Sequence, residues 1–147
     1  MSTIVFFDLG DTLVIPKIDQ GTLAALKVLP FATKVLDKLK HTNVAGAALR
    51  LGVISNTGNE TGDRMRTLLQ QAGLLGFFEP ALLLFSSVEH LDKTRTEFFQ
   101  LAATRAGVPP AQCIYVGENA DERRVAESAG FRTSFHPLHV FHVLGLV

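Results

Sequence analysis

The sequence predicts a three-layer α/β fold, a doubly wound open parallel sheet of about five strands built by one domain spanning residues 1–147. Three observations carry this reading. Short β-rich apolar runs recur along the chain: TIVFF at 3–7, LGVIS at 51–55, ALLLF at 81–85, CIYVG at 113–117 and FRTSF at 131–135. Each has the length of a strand, not of a helix. The second, third and fourth are nearly continuous in apolar residues, as parallel strands covered on both faces must be. Between the runs lie amphipathic stretches of helical period, and strands alternating with helices give a doubly wound sheet.

The helices follow in order. FATKVLDKLK at 31–40 puts Phe31, Val35, Leu36 and Leu39 on one face. NETGDRMRTLLQQAG at 59–73 ends on Gly73, a natural C-cap. KTRTEFFQLAATRAG at 93–107 turns Phe98, Leu101 and Ala102 inward and stops at Gly107, ahead of Pro109 and Pro110. DERRVAESAG at 121–130 turns Val125, Ala126 and Ala129 inward and stops at Gly130. The stretch between Asp8 and Ser55 is assigned to helix and turns, with nothing large inserted.

Composition bounds the function. Fourteen basic and fourteen acidic residues cancel, so no bulk positive charge brings the chain to nucleic acid or to an anionic membrane. Apolar residues make up 47% and charged residues 19%, which excludes a disordered chain. The single cysteine, Cys113, lies in an apolar run and reads as a buried small hydrophobe, so no disulfide or redox chemistry is expected. MSTIVFF lacks the basic start of a secretory signal, and the apolar tail from Leu138 to Val147 is too short to span a bilayer. A cytoplasmic protein without membrane association is expected. Neither GxGxxG nor GxxxxGK[ST] occurs, and Gly58 and Gly62 read as turn and helix-start residues.

In open α/β sheets ligands bind at the carboxyl ends of the strands. Asp8, Leu9, Gly10, Asp11 and Thr12 follow the first run. Ser55, Asn56 and Thr57 close the second, and Gly117, Glu118, Asn119, Asp121 and Glu122 follow the fourth. Lys93, read as opening the helix after the third, brings one cation to the same edge. Carboxylates, small hydroxyls and a lysine brought together are what phosphoryl transfer with magnesium requires.

With these residues in this order, the chain resembles the haloacid dehalogenase-like superfamily from about residue 3 to residue 135. VFFDLGDTL is similar to its first motif, VISN to the second, LDKTRTEFF to the third and VGENADERRVAESAG to the fourth. The resemblance implies a Rossmann-like core and makes Asp8 the nucleophile. Ser55, Asn56, Thr12 and Lys93 would bind the phosphoryl group, and Asp8, Gly10, Glu118 and Glu122 would hold Mg2+.

Three departures matter. Glu118 and Glu122 stand where the family usually has Asp, each one methylene longer. Thr94 replaces the proline that usually follows the lysine. Gly10 replaces the carboxylate that usually serves as general acid, leaving its neighbour Asp11 as the candidate. Both usual cap sites look empty, and capless relatives act on large substrates or borrow a neighbouring subunit as a lid. The low charge and apolar tail favour a homo-oligomer.

The resulting expectation is a capless, magnesium-dependent phosphomonoester phosphatase working through an aspartyl-phosphate on Asp8. Its partner would be a phosphorylated substrate, small molecule or macromolecule. Two alternatives stand beside it: a weakly active or inactive binding module, and a 2-haloacid dehalogenase. Outside this set, His136, His139 and His142 read as a packed or solvated tail rather than metal ligands, and Arg123 and Arg124 as a solvated helix face.

Overall fold

A computed structural model describes residues 2–146. The elements are β1 (Ile4–Phe7), β2 (Val14–Asp19), β3 (Thr22–Val28), α1 (Ala32–Lys40), β4 (Asn43–Val44), β5 (Ala47–Ala48), β6 (Arg50–Ser55), α2 (Gly62–Gln71), β7 (Leu83–Phe85), α3 (Ser86–Glu89), α4 (Thr96–Ala106), β8 (Cys113–Val116), α5 (Ala120–Ser128), β9 (Arg132–Ser134) and α6 (Val140–Val143). The five predicted strands and four predicted helices all form, within a few residues of their expected bounds.

The five strands make one parallel sheet in the order β7-β6-β1-β8-β9. Alternation along each strand sends side chains to two separate cores. Val5, Phe7, Val53 and Val116 pack under α1, α2 and α6 on one face. Ile4, Phe6, Ile54 and Tyr115 pack under α4 and α5 on the other. The chain leaves β1 in one direction to β6 and β7, then crosses back to β8 and β9. The reversal places the topological switch point beside β1, where ligands of doubly wound sheets bind.

Two features differ from the sequence reading. Residues 14–28 form an antiparallel hairpin, β2 with β3, where only helix and turns were expected. Gln20 and Gly21, with φ of 50° and 78°, supply the left-handed pair that a two-residue hairpin turn demands. The alternation in VIPKIDQGTLAALKV was the available signal. The apolar tail is only partly enclosed: Val140 and Phe141 are buried against the first core, whereas Leu138 and Leu146 are exposed. No helix among the described residues is long and apolar enough to cross a membrane.

Cys113 is fully buried on β8, and burial pushes its thiol up to about 12. A thiol that stays protonated and enclosed is a poor nucleophile. Native protein is therefore expected to leave Cys113 unreacted with a thiol-specific dye at mildly alkaline pH, with full labelling once denaturant is added.

Candidate active site

The site begins with Asp8, the first residue beyond β1. Its amide donates to the Val116 carbonyl at 2.9 Å, which extends the strand ladder by one step and fixes the carboxylate over the sheet edge. Oδ1 accepts from the Leu9 amide at 2.8 Å and from Lys93 Nζ at 2.7 Å. Among the described residues no donor reaches Oδ2. Burial holds the Asp8 carboxyl above its ordinary range, against the opposing pull of Lys93 and the Leu9 amide.

Lys93 is 2% exposed and is the cation that the site is built around. Its Nζ lies 2.7 Å from Asp8 and 2.9 Å from Glu122 Oε1, and it donates to the Tyr115 hydroxyl at 3.1 Å. The lysine does not open a helix as expected. The chain after β7 makes the short α3, and Lys93 sits in the turn before α4. There Asp92 Oδ1 accepts from the Thr94 amide at 2.8 Å, a local bond that competes with helix. The Lys93 amide in turn donates to Asn56 Oδ1 at 3.1 Å, tying the second motif to the third.

Tyr115 belongs to the buried polar cluster around Lys93, and the sequence does not reveal it because CIYVG reads as plain apolar strand. Its hydroxyl donates to Glu122 Oε1 at 3.2 Å and accepts from Lys93. Burial, then the negative charges of Asp8 and Glu122, raise the phenol far above its ordinary range, so it remains a neutral donor. The signal was a lone tyrosine two residues before Gly117. A Cβ at Gly117 would stand 2.7 Å from that hydroxyl, so only glycine lets it reach Lys93.

Asp8, Gly10, Ser55, Asn56, Lys93 and Glu122 all line one cavity of about 500 Å3, a size suited to a small ligand. Glu60, which the sequence reading did not single out, lines it as well. Three expected site residues do not. Asp11 is exposed, held at φ 63°, and lies outside the cavity wall. Thr12 is buried with its hydroxyl unpartnered, behind the wall. Glu118 is exposed at the start of the loop after β8.

The remaining residues take structural places. Asn119 Oδ1 caps α5 by accepting from the Glu122 amide at 3.0 Å, which aims Glu122 back at Lys93. Arg123 is not a solvated residue, since it donates to the Gly117 carbonyl at 2.8 Å. Asp121 pairs with Arg124 on the surface. His139 meets Ser134 Oγ at 2.9 Å through Nδ1 and stacks on Phe135, as a packed tail does.

Magnesium takes oxygen ligands and keeps several waters, needing only one or two protein carboxylates. The available donors are oxygens: among the described residues no hydrogen-bond donor reaches Asp8 Oδ2, and Asp8 and Gly10 both line the cavity. Among the described residues no three acidic or histidine side chains converge into a ready-made cage. Glu122 is committed to Lys93 and Tyr115. Asp8 and Gly10 are the lining residues whose oxygens suit a hydrated magnesium, and Glu118 lies outside the cavity wall.

No protein-family model matches the sequence, and no curated protein does. Solved structures do match. A HAD-superfamily hydrolase, subfamily IA, variant 1, from Geobacter sulfurreducens superposes with a TM-score of 0.72 at 15% identity, over 98% of this chain and 97% of its own. A HAD phosphatase from Thermococcus onnurineus gives 0.65 at 20%, over 82% of this chain and 59% of its own. A dehalogenase gives 0.61 at 27%, over 74% of this chain but 44% of its own, so the shared part is less than half of that protein. The chain shares their sheet and flanking helices, with two short hairpins and no large cap.

Two outcomes follow from the site. Lys93→Met leaves Asp8 and Glu122 buried without their cation, a loss of about 3–5 kcal/mol at neutral pH. Because the folded state then favours a protonated Asp8, stability is present at low pH and lost as pH rises. Urea titrations in EDTA at about pH 5 and about pH 8 are expected to show the smaller deficit at the lower pH. Gly117→Ala pushes the Tyr115 hydroxyl away and is expected to cost about 1–3 kcal/mol by the same titration.

Proposed function

We propose that this chain, which has the haloacid dehalogenase-like fold, is a magnesium-dependent phosphomonoester phosphatase with Asp8 as nucleophile. One observation carries the reading: Asp8 presents an uncommitted Oδ2 to a ligand-sized cavity while its other oxygen is clamped by Lys93 and the Leu9 amide. A carboxylate fixed through one oxygen is oriented through the other, which removes much of the entropic cost of attack.

Oδ2 attacks phosphorus, the ester P–O bond breaks, and the alcohol leaves with the bond's electron pair. Water then attacks the acyl phosphate at phosphorus, freeing inorganic phosphate and restoring Asp8. Ser55 and Asn56 hold the phosphoryl oxygens, while Lys93, its three N–H groups engaged by Asp8, Glu122 and Tyr115, contributes its positive charge. Asp8 and Gly10 would hold magnesium, which would supply positive charge to offset those oxygens. Gly10 places no acid beside the leaving oxygen, and Asp11 lies outside the cavity. Leaving groups that depart as stable anions are therefore favoured, with water supplying the proton.

A second reading is a 2-haloacid dehalogenase, in which the same Asp8 oxygen attacks carbon and halide leaves. Halide needs no proton and no metal, which suits Gly10 and the missing cage, and the dehalogenase at 27% identity supports it. The chain spans less than half of that protein's length.

p-Nitrophenyl phosphate separates these readings. The expected outcome is phosphate release that needs magnesium, stops in EDTA and falls by at least about a hundredfold in Asp8→Asn. Chloride release from 2-chloropropionate in EDTA would instead establish the dehalogenase, and silence on both substrates would leave a binding module.

A further inference from the structure

We propose that the site selects phosphomonoesters with a compact apolar organic group and no second negative charge. The inference rests on the phosphatase reading for the phosphoryl end and on the cavity's far wall for the rest.

The cavity has two chemically distinct halves. Its floor is the sheet edge, with Asp8, Ser55, Asn56 and Lys93. Opposite stand Val14, Pro16, Ile18, Leu23 and Leu26 of the β2–β3 hairpin, joined by Met65 of α2. The hairpin is held there by Arg64, which donates to the Leu23 carbonyl at 3.2 Å. Pro16 also fills the ground above Gly10, where a Cβ would meet its ring at 3.6 Å. An organic group leaving Asp8 toward this wall meets aliphatic surface. On the hairpin wall the hydroxyls of a sugar or glycerol moiety would lose water without gaining partners, since the polar lining residues Thr57, Asn59 and Glu60 belong to the loop after β6 and not to the hairpin.

Charge points the same way. Among the described residues Lys93 is the one cation lining the cavity, already shared by Asp8 and Glu122, and Glu60 adds a third carboxylate. A second phosphate or a carboxylate on the ligand would find no counter-charge. Ile18, by contrast, is 63% exposed at the rim, and covering it with an apolar ligand removes that surface from water.

The test measures binding of non-hydrolysable phosphonates to the magnesium-loaded protein by calorimetry. n-Butylphosphonate is expected to bind about tenfold more tightly than 2-hydroxyethylphosphonate, the gain of burying a few methylene equivalents. It should also bind more tightly than 3-phosphonopropionate, which adds one negative charge. Ile18→Ser and Leu23→Ser should bring the butyl and hydroxyethyl affinities toward parity, whereas Ile18→Val should keep them apart. Equal affinities in the native protein, or tighter binding of either polar phosphonate, would overturn the inference. Asp8-dependent turnover without the preference removes this inference alone. The preference without turnover removes the phosphatase reading and keeps the selectivity, and absence of all phosphonate binding removes both.

Discussion

A buried ammonium between two carboxylates organises this molecule. Lys93 is 2% exposed, and Asp8 and Glu122 supply the counter-charges that a buried cation needs. The three come from the ends of β1, the turn before α4 and the first turn of α5. Closing that triad therefore fixes the spacing of distant segments. Tyr115 completes it from within β8, and Gly117 supplies the clearance that Tyr115 needs. The Lys93 amide on Asn56 binds the end of β6 to the same point. Charge balance, more than apolar packing, sets the geometry at this edge.

The hairpin is the counterpart to that polar edge. A doubly wound sheet by itself leaves its carboxyl end open to solvent. Here residues 14–28 fold back over it, and most of their side chains are exposed because the hairpin projects from the body. Val14 and Leu26 join the core, and Leu23 and Val28 pack against it partly buried. The result is a cavity with a charged floor supplied by rigid strand ends and an aliphatic wall supplied by a tethered outlier. Chemistry and selectivity thus reside on separate elements.

The sheet was legible because its strands are buried on both faces, so burial alone writes continuous apolar runs into the sequence. The helices were legible through their period and their stops, with Gly73 and Gly107 both found at positive φ. The hairpin was not, because its strands face solvent and carry Pro16, Lys17 and Asp19 among the apolar residues, which dilutes the alternation. At the site, residue types at strand ends pointed to Asp8, Ser55, Asn56, Lys93 and Glu122, all of which meet at the cavity. Asp11 and Thr12 do not line the cavity, a placement illegible in the sequence because sequence order gives no direction to a side chain in a tight loop, here with Asp11 at φ 63°. Tyr115 was hidden because a single hydroxyl inside an apolar strand leaves the hydrophobic pattern unchanged.

The position of β1 at the centre of the sheet bears on how the chain is made. Its residues pair with Arg50–Val53 on one side and Cys113–Val116 on the other, so the first strand to be synthesised receives its second neighbour only after most of the domain exists. Until then IVFF is an apolar strand with an open edge, the kind of segment that pairs with the wrong chain. Val140 and Phe141, which close the core over the face carrying Val5 and Phe7, arrive later still. In chain order, then, the central strand is the first to appear and among the last to have both edges paired and its first-core face covered.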